Sequence, residues 1–236
     1  MPARHWAVIP AAGSGVRMGS SIPKQYLSLA GRTVIEHVLE LFMNHPRIAG
    51  MTVAVAADDP YWQRYMPRAQ AKPVHATTGG EHRAHSVLNA LLTLQGELKD
   101  DDWVLVHDAV RPCLHSHDLD MLLTELDSDP VGGILGTPLA DTVKRVNADQ
   151  HVIETPSRAD LWRAYTPQMF RYRMLKEALE SCIREGFVPS DEATAMEHRR
   201  HQVRVLEGRS DNIKITRPDD IAFAETILRH RGGVPS

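Results

Sequence analysis

The sequence predicts an α/β protein with a mostly parallel sheet, and three observations carry that expectation. Short apolar segments alternate with amphipathic helical patterns along most of the 236 residues. Segment 51–57 is apolar and β-branched on both faces, as in strands covered by helices on either side. The strongest strand, Trp103-Val104-Leu105-Val106, runs into His107-Asp108-Ala109-Val110-Arg111, placing a carboxylate at the edge where open α/β sheets bind ligands.

Taken in order, an opening strand Ala7-Val8-Ile9 leads into Pro10-Ala11-Ala12-Gly13-Ser14-Gly15-Val16-Arg17-Met18-Gly19, followed by Pro23-Lys24-Gln25-Tyr26. Small residues and glycines let backbone N–H groups approach an anion, and Arg17 and Lys24 add positive charge there. A Walker-type loop is excluded because Gly19 is followed by Ser20 rather than Lys. The dinucleotide fingerprint is excluded because the glycines are spaced one residue too far apart. A nucleoside-triphosphate loop remains, against the plainer reading of a strand-to-helix turn with solvated basic residues.

Thr33 and Glu36 have capping-box spacing ahead of a helix over 34–44, so Glu36 reads as a cap, not a ribose ligand. Asp58 and Asp59 suit the start of a short helix, and 74–76 forms a short third strand. Gly79-Gly80, with Arg83 and Ser86 at the head of the next helix, forms a second candidate anion- or base-reading site. Asp108 is suited to a sugar hydroxyl or a phosphate-bound Mg²⁺, and Arg111 to a substrate phosphate; the alternative is that the two pair across a turn. A helix over 119–126 and a glycine-rich strand over 132–136 follow. The pattern changes over 138–160, where 141–146 and 151–154 read as a hairpin too polar to stand alone, packing on something else, such as another subunit. Then come a helix over 171–185, a helix over 190–197 opened by Asp191 and Glu192, strands over 202–206 and 212–215, a last helix over 219–231 and a frayed tail over 232–236. The whole chain reads as a single domain, 1–236, carrying this inserted arm.

The formal net charge of −3 opposes broad nucleic-acid binding, so positive charge must be concentrated locally to hold a triphosphate. The two cysteines, Cys113 and Cys182, have no metal-like spacing and suit a reducing cytoplasm. No apolar run is long enough for a membrane span or a secretory signal. His82 with His85 and His115 with His117 are close in sequence but lack further ligands for a metal.

Together, Pro10-Ala-Ala-Gly-Ser-Gly-x-Arg-Met, Pro23-Lys24-Gln25-Tyr26, Gly80-x-x-Arg-x-x-Ser86, Val106-His-Asp-Ala-Val-Arg-Pro112, Leu161-Trp-x-x-x-Thr166-Pro-Gln168 and Asp211-Asn-Ile-Lys-Ile-Thr216 resemble the 2-C-methyl-D-erythritol 4-phosphate cytidylyltransferases. The resemblance spans nearly the whole chain. It implies a doubly wound, Rossmann-like nucleotidyltransferase sheet with a protruding β-hairpin arm and a homodimer in which the arms embrace. The implied reaction joins CTP to a polyol phosphate with release of pyrophosphate, aided by Mg²⁺ held mainly on the CTP phosphates. By position, Arg17 and Lys24 match the residues that stabilise the transition state, with Arg158 and Lys214 completing the catalytic set. Ala11, Ala12, Gly13, Gly15, Gly80, Arg83, Ser86, Asp108 and Ala109 are the expected nucleotide-binding residues. Asp108, Arg111, Thr142, Arg158, Thr166 and Lys214 are the expected substrate residues, Arg158 reaching the partner subunit's site. Glu81 departs from the Asp of some relatives. A cytidylyltransferase for ribitol 5-phosphate and a non-catalytic nucleotide sensor remain as alternatives.

Overall fold

The computed structural model describes residues 3–13, 22–66 and 72–231. Arg17 and Gly15 of the opening loop, and the tail over 232–236, lie outside them. The first half of the chain contains β1 (His5–Pro10), a 3₁₀ turn (Lys24–Tyr26), β2 (Ser28–Leu29), β3 (Arg32–Thr33), α1 (Val34–Asn44), β4 (Ile48–Val55), α2 (Trp62–Tyr65), β5 (Val74–Thr78), α3 (Arg83–Leu92) and β6 (Trp103–Val106). The second half adds α4 (Ser116–Glu125), β7 (Gly132–Pro138), β8 (Arg145–Val146), β9 (Val152–Glu154), β10 (Trp162–Arg171), α5 (Tyr172–Arg184), α6 (Glu192–His198), β11 (Arg204–Glu207) and α7 (Asp219–Arg231).

The main sheet has seven strands in the order β11-β7-β10-β6-β1-β4-β5. Strands β6, β1, β4 and β5 pair in parallel, as do β7 and β11, while β10 runs antiparallel to both its neighbours. Alternating residues of the central strands feed two cores. Ala7 and Ile9 of β1 and Trp103 and Leu105 of β6 pack with α1 and α4. Trp6, Val8, Val104 and Val106 pack with α3, α5 and α6 on the other face. This period-two division between two helical layers makes the fold doubly wound. A third, smaller cluster seats α7 through Ala224 against Leu29, Val34, Val110 and Ile215.

Local chemistry explains the elements. Glu36 accepts the backbone N–H and the hydroxyl of Thr33, each at 2.7 Å, closing the N-terminus of α1. Asp59 accepts from the N–H groups of Tyr61 and Trp62 at 2.9 and 3.0 Å, starting α2. At α6, Asp191 caps through the Thr194 N–H at 2.9 Å.

Three sequence expectations need correction. The sequence does not anticipate strand β10: Pro167 argues against a central strand, and the structure accommodates it with a register break between Ala164 and Gln168. Residues 212–215 do not form a strand; Asn212 instead turns its side chain to the carbonyl of Thr166 at 2.8 Å, and Ile215 N–H makes one bond to Val110 O at 2.9 Å. The hairpin β8–β9 forms its own two-stranded sheet, shorter than the 141–146 and 151–154 expected, with Val146, Val152 and Ile153 exposed.

Gly132 opens β7 at φ +122°, and a Cβ there would collide with the backbone carbonyl of Met169 on β10. Gly132→Ala is expected to lower stability by roughly 2–4 kcal/mol in urea unfolding, from strain plus the forced shift; a change under about 0.5 kcal/mol, the level of an ordinary surface substitution, would show that the strand pair yields freely. His5 and His107 are sealed in the fold, and burial is the main cause that holds each imidazole down to a pKa of about 4 from 6.5. The unfolded chain therefore binds more protons than the native one below pH 6.5, and stability falls as pH drops from there to about 4. Each histidine contributes roughly 3 kcal/mol to that loss, read as the pH dependence of the urea midpoint, and a flat midpoint between pH 7 and 4 would contradict it.

Candidate active site

The C-terminal ends of the parallel strands converge on one edge of the sheet, and the loops leaving β1, β5 and β6 meet there. The loop after β1 is anchored by Ala11 N–H to Ala54 O at 2.7 Å. Gln25, buried on the 3₁₀ turn, donates to the carbonyls of Ala11 and Gly13 at 2.7 and 3.3 Å, fixing both ends of that short run. After β5, Gly79 passes so close to Ala12 that any Cβ would overlap the Ala12 methyl group, so a glycine is required. The Ser86 hydroxyl accepts the Gly80 N–H at 3.0 Å and donates to His82 O at 3.3 Å, tying the loop to the first turn of α3.

The wall is electrostatic. Asp108, buried just beyond β6, meets three cations: Arg83 Nε at 3.0 Å on Oδ1, and Lys214 Nζ at 2.9 Å and Arg111 Nε at 3.4 Å on Oδ2. Burial works against its charge, but Arg83, Lys214 and Arg111 outweigh it and hold the carboxyl well below the usual carboxylate range. Arg83 also forks onto Glu192, Nη1 to Oε1 at 2.6 Å and Nη2 to Oε2 at 3.0 Å, and these two carboxylates keep it charged despite its burial. Lys24 Nζ donates to Ile215 O at 3.2 Å, one residue beyond Lys214.

Of the expected site residues, Ala11, Ala12, Gly13, Lys24, Gly80, Arg83, Ser86, Asp108, Ala109 and Lys214 line one cleft of about 200 Å³, with Glu81 and His82 at its wall. Arg111 and Thr166 lie behind that wall: Arg111 donates to Asn212 O at 2.8 Å, and the Thr166 hydroxyl sits between Asp108 N at 3.1 Å and His107 Nδ1 at 2.9 Å. Of the sequence alternatives for Asp108 and Arg111, the pairing across the turn is present at 3.4 Å, and the pair belongs to the larger cluster. Thr142 and Arg158 are exposed on the arm and do not line the cleft of their own chain, and Arg158 donates to the Ala140 carbonyl. A larger hollow of about 590 Å³ beside α1, α4 and α7 lacks this convergence of cations and backbone amides. The sequence presents Glu192 only as a helix-opening acid; its burial against Arg83 has no local sequence signature. Gln25, His107 and Asn212 fall within recognised motifs, but the motifs assign them no task.

The family profile described as IspD, 2-C-methyl-D-erythritol 4-phosphate cytidylyltransferase, matches residues 5–230. The chain is 52% identical over 219 residues to the enzyme of that name from Pseudomonas entomophila (strain L48), covering 92% of this chain and 93% of the relative. It is 54% identical over 219 residues to that of Pseudomonas fluorescens (strain SBW25), with the same coverage. Among solved structures, it is similar to the Francisella tularensis 2-C-methyl-D-erythritol 4-phosphate cytidylyltransferase, with a TM-score of 0.84, 35% identity and coverage of 96% of this chain and 100% of that one. The Thermus thermophilus structure of the same enzyme gives a TM-score of 0.78 at 26% identity, covering 97% of this chain and 100% of that one. With this fold, this cleft and these relatives, the chain belongs to the 2-C-methyl-D-erythritol 4-phosphate cytidylyltransferase family.

Proposed function

We propose that the protein transfers CMP from CTP to 2-C-methyl-D-erythritol 4-phosphate, giving 4-CDP-2-C-methyl-D-erythritol and pyrophosphate in non-mevalonate isoprenoid biosynthesis. The observation that carries this reading is the convergence of Lys24, Lys214 and the Ala11–Gly13 and Gly80 backbone on one cleft in a member of this family.

A phosphate oxygen of the alcohol phosphate attacks the α-phosphorus in line. The new P–O bond forms as the bond to the bridging β-oxygen breaks, and pyrophosphate leaves on the opposite side. Proton transfer is not required, because the attacking group is already an anion. The protein's task is therefore to bring two anions together and stabilise charge on the five-coordinate phosphorus. In this reading Lys24 and Arg17 act on the triphosphate, Gly80, Ser86 and Ala109 hold the nucleoside, and Asp108 and Lys214 frame the acceptor. A divalent cation fits as one carried in on the triphosphate: Asp108 and Glu81 are the carboxylates that line the cleft, Asp108 already holding three cations, and the ion would supply charge neutralisation.

The arm gives the same reading a second subunit. Arg158 and Thr142 lie on exposed chain outside their own cleft, and the apolar residues Val146, Val152 and Ile153 of the arm are exposed, which supports a homodimer whose arms serve the partner's site. A cytoplasmic setting belongs to this reading, supported by two buried free thiols, Cys113 and Cys182.

Pyrophosphate release with CTP, Mg²⁺ and methylerythritol phosphate tests the function, run beside ribitol 5-phosphate and beside ATP, GTP and UTP. Release confined to CTP with methylerythritol phosphate is expected; release with ribitol phosphate instead would reassign the acceptor, and no release with any pair would favour a nucleotide sensor. Lys24→Ala is expected to lower kcat by about 10²-fold or more, as for loss of one electrostatic stabiliser, and a kcat within a few-fold of wild type would remove Lys24 from that role. Arg158→Ala should act chiefly on KM for the alcohol phosphate. Mixed dimers of Arg158→Ala and Lys24→Ala subunits are expected to regain one working site, whereas two inactive sites in every mixed dimer would refute the shared site.

A further inference from the structure

Four buried residues from three segments close a ring of hydrogen bonds behind the cleft. His107 Nε2 meets Arg111 O at 3.0 Å, and His107 Nδ1 meets the Thr166 hydroxyl at 2.9 Å. The Thr166 carbonyl accepts from Asn212 Nδ2 at 2.8 Å, and the Asn212 carbonyl accepts from Arg111 Nη1 at 2.8 Å. All four residues are at most 9% exposed, and the imidazole packs on Phe42 with ring centroids 5.4 Å apart.

Chemistry fixes the direction of every bond. A carbonyl only accepts, so Nε2 carries the hydrogen that goes to Arg111 O. Burial keeps the ring neutral, so Nδ1 holds a lone pair and must accept from the Thr166 hydroxyl. The Thr166 oxygen in turn accepts the Asp108 N–H at 3.1 Å. One imidazole thus ties the end of the 108–111 turn to its beginning, through the unpaired stretch of β10. Asn212 extends the hold to the segment bearing Lys214, two residues on. Its own Oδ1 is buried without a partner among the described residues, a desolvation cost that a merely space-filling side chain would not carry.

We propose that His107, together with Thr166 and Asn212, is a positioning residue of the transfer reaction: the ring sets Asp108, Arg111 and Lys214 at the distances the cleft requires. The kinetic part rests on the proposed function; the geometry does not.

The test has a spectroscopic arm and a kinetic arm. In protein labelled with ¹⁵N-histidine, the resonance lost in His107→Phe identifies the ring, and wild type should show a neutral imidazole protonated at Nε2 with Nδ1 as acceptor. His107→Phe and Thr166→Val should each lower kcat/KM by tenfold or more at 25 °C with CTP and methylerythritol phosphate. Their combination should cost no more than the worse single change, because both cut one ring. Thr166→Ser, which keeps the hydroxyl, should return to within about threefold of wild type. An Nδ1-protonated tautomer, losses that multiply, or a folded His107→Phe within twofold of wild type would overturn the proposal. If His107→Phe does not fold, Asn212→Ala replaces it in the kinetic arm, and the imidazole is identified by the shift of its signal in Thr166→Val. Wild type inactive with every substrate pair would refute the function, and the tautomer would still decide the ring.

Discussion

A single buried carboxylate sets the electrostatics of this cleft. Asp108 receives Arg83 from α3, Arg111 from its own turn and Lys214 from the segment before α7, three cations that would otherwise repel one another across a shared wall. Charges removed from water are tolerated when paired and hydrogen-bonded on several sides, and removing the shared partner would leave the others uncompensated. Glu192 offsets part of Arg83's charge from behind, so the arrangement retains an excess of positive charge facing the cleft, to which Lys24 adds. A chain with a net charge of −3 thereby presents a local site for anions without being basic overall.

This clamp depends on the sheet. Asp108 lies two residues past the end of β6, and His107 N–H is still bonded to Val8 O at 2.9 Å, so the carboxylate hangs from the last rung of the ladder with β1. The loop leaving β1 is tied to β4 in the same way, and Gly79 to Val55 O at 2.7 Å. The three loops of the cleft are consequently extensions of neighbouring strands, and their mutual spacing is inherited from strand separation rather than from loop conformation.

Most of this was legible in the sequence where the cause is local. The apolar run of β6, the capping box of α1 and the helices α3 and α5 need only neighbours in the chain, and they appear where expected. What escaped depends on distant partners. Strand β10 carries a proline and a broken register, features that argue against a central strand unless β6 and β7 are already there to receive it. Segment 212–215 has the composition of a strand, but no strand partner receives it among the described residues, and Asn212 spends its bonds on Thr166 and Arg111 instead. The glycine-rich loops stand out in the sequence and the family resemblance names the residues on them, whereas Glu192 and Gln25 act through contacts separated by 109 and 14 residues, which no local pattern encodes.

The placement of His107 bears on the kind of chemistry the site can perform. A histidine at the end of a parallel strand, beside an aspartate, invites a general-base reading. Here both ring nitrogens are engaged by protein groups, the side chain is fully buried, and burial keeps it neutral far below physiological pH. It has no free lone pair to offer a substrate. A transfer between two phosphates has no need of one, since the nucleophile arrives ionised and the obstacle is repulsion between anions. Fixed cations answer that obstacle, and fixed cations need struts. The neutral imidazole is suited to that second task because it can donate from one end and accept at the other, joining a carbonyl to a hydroxyl without adding a charge to a crowded electrostatic wall.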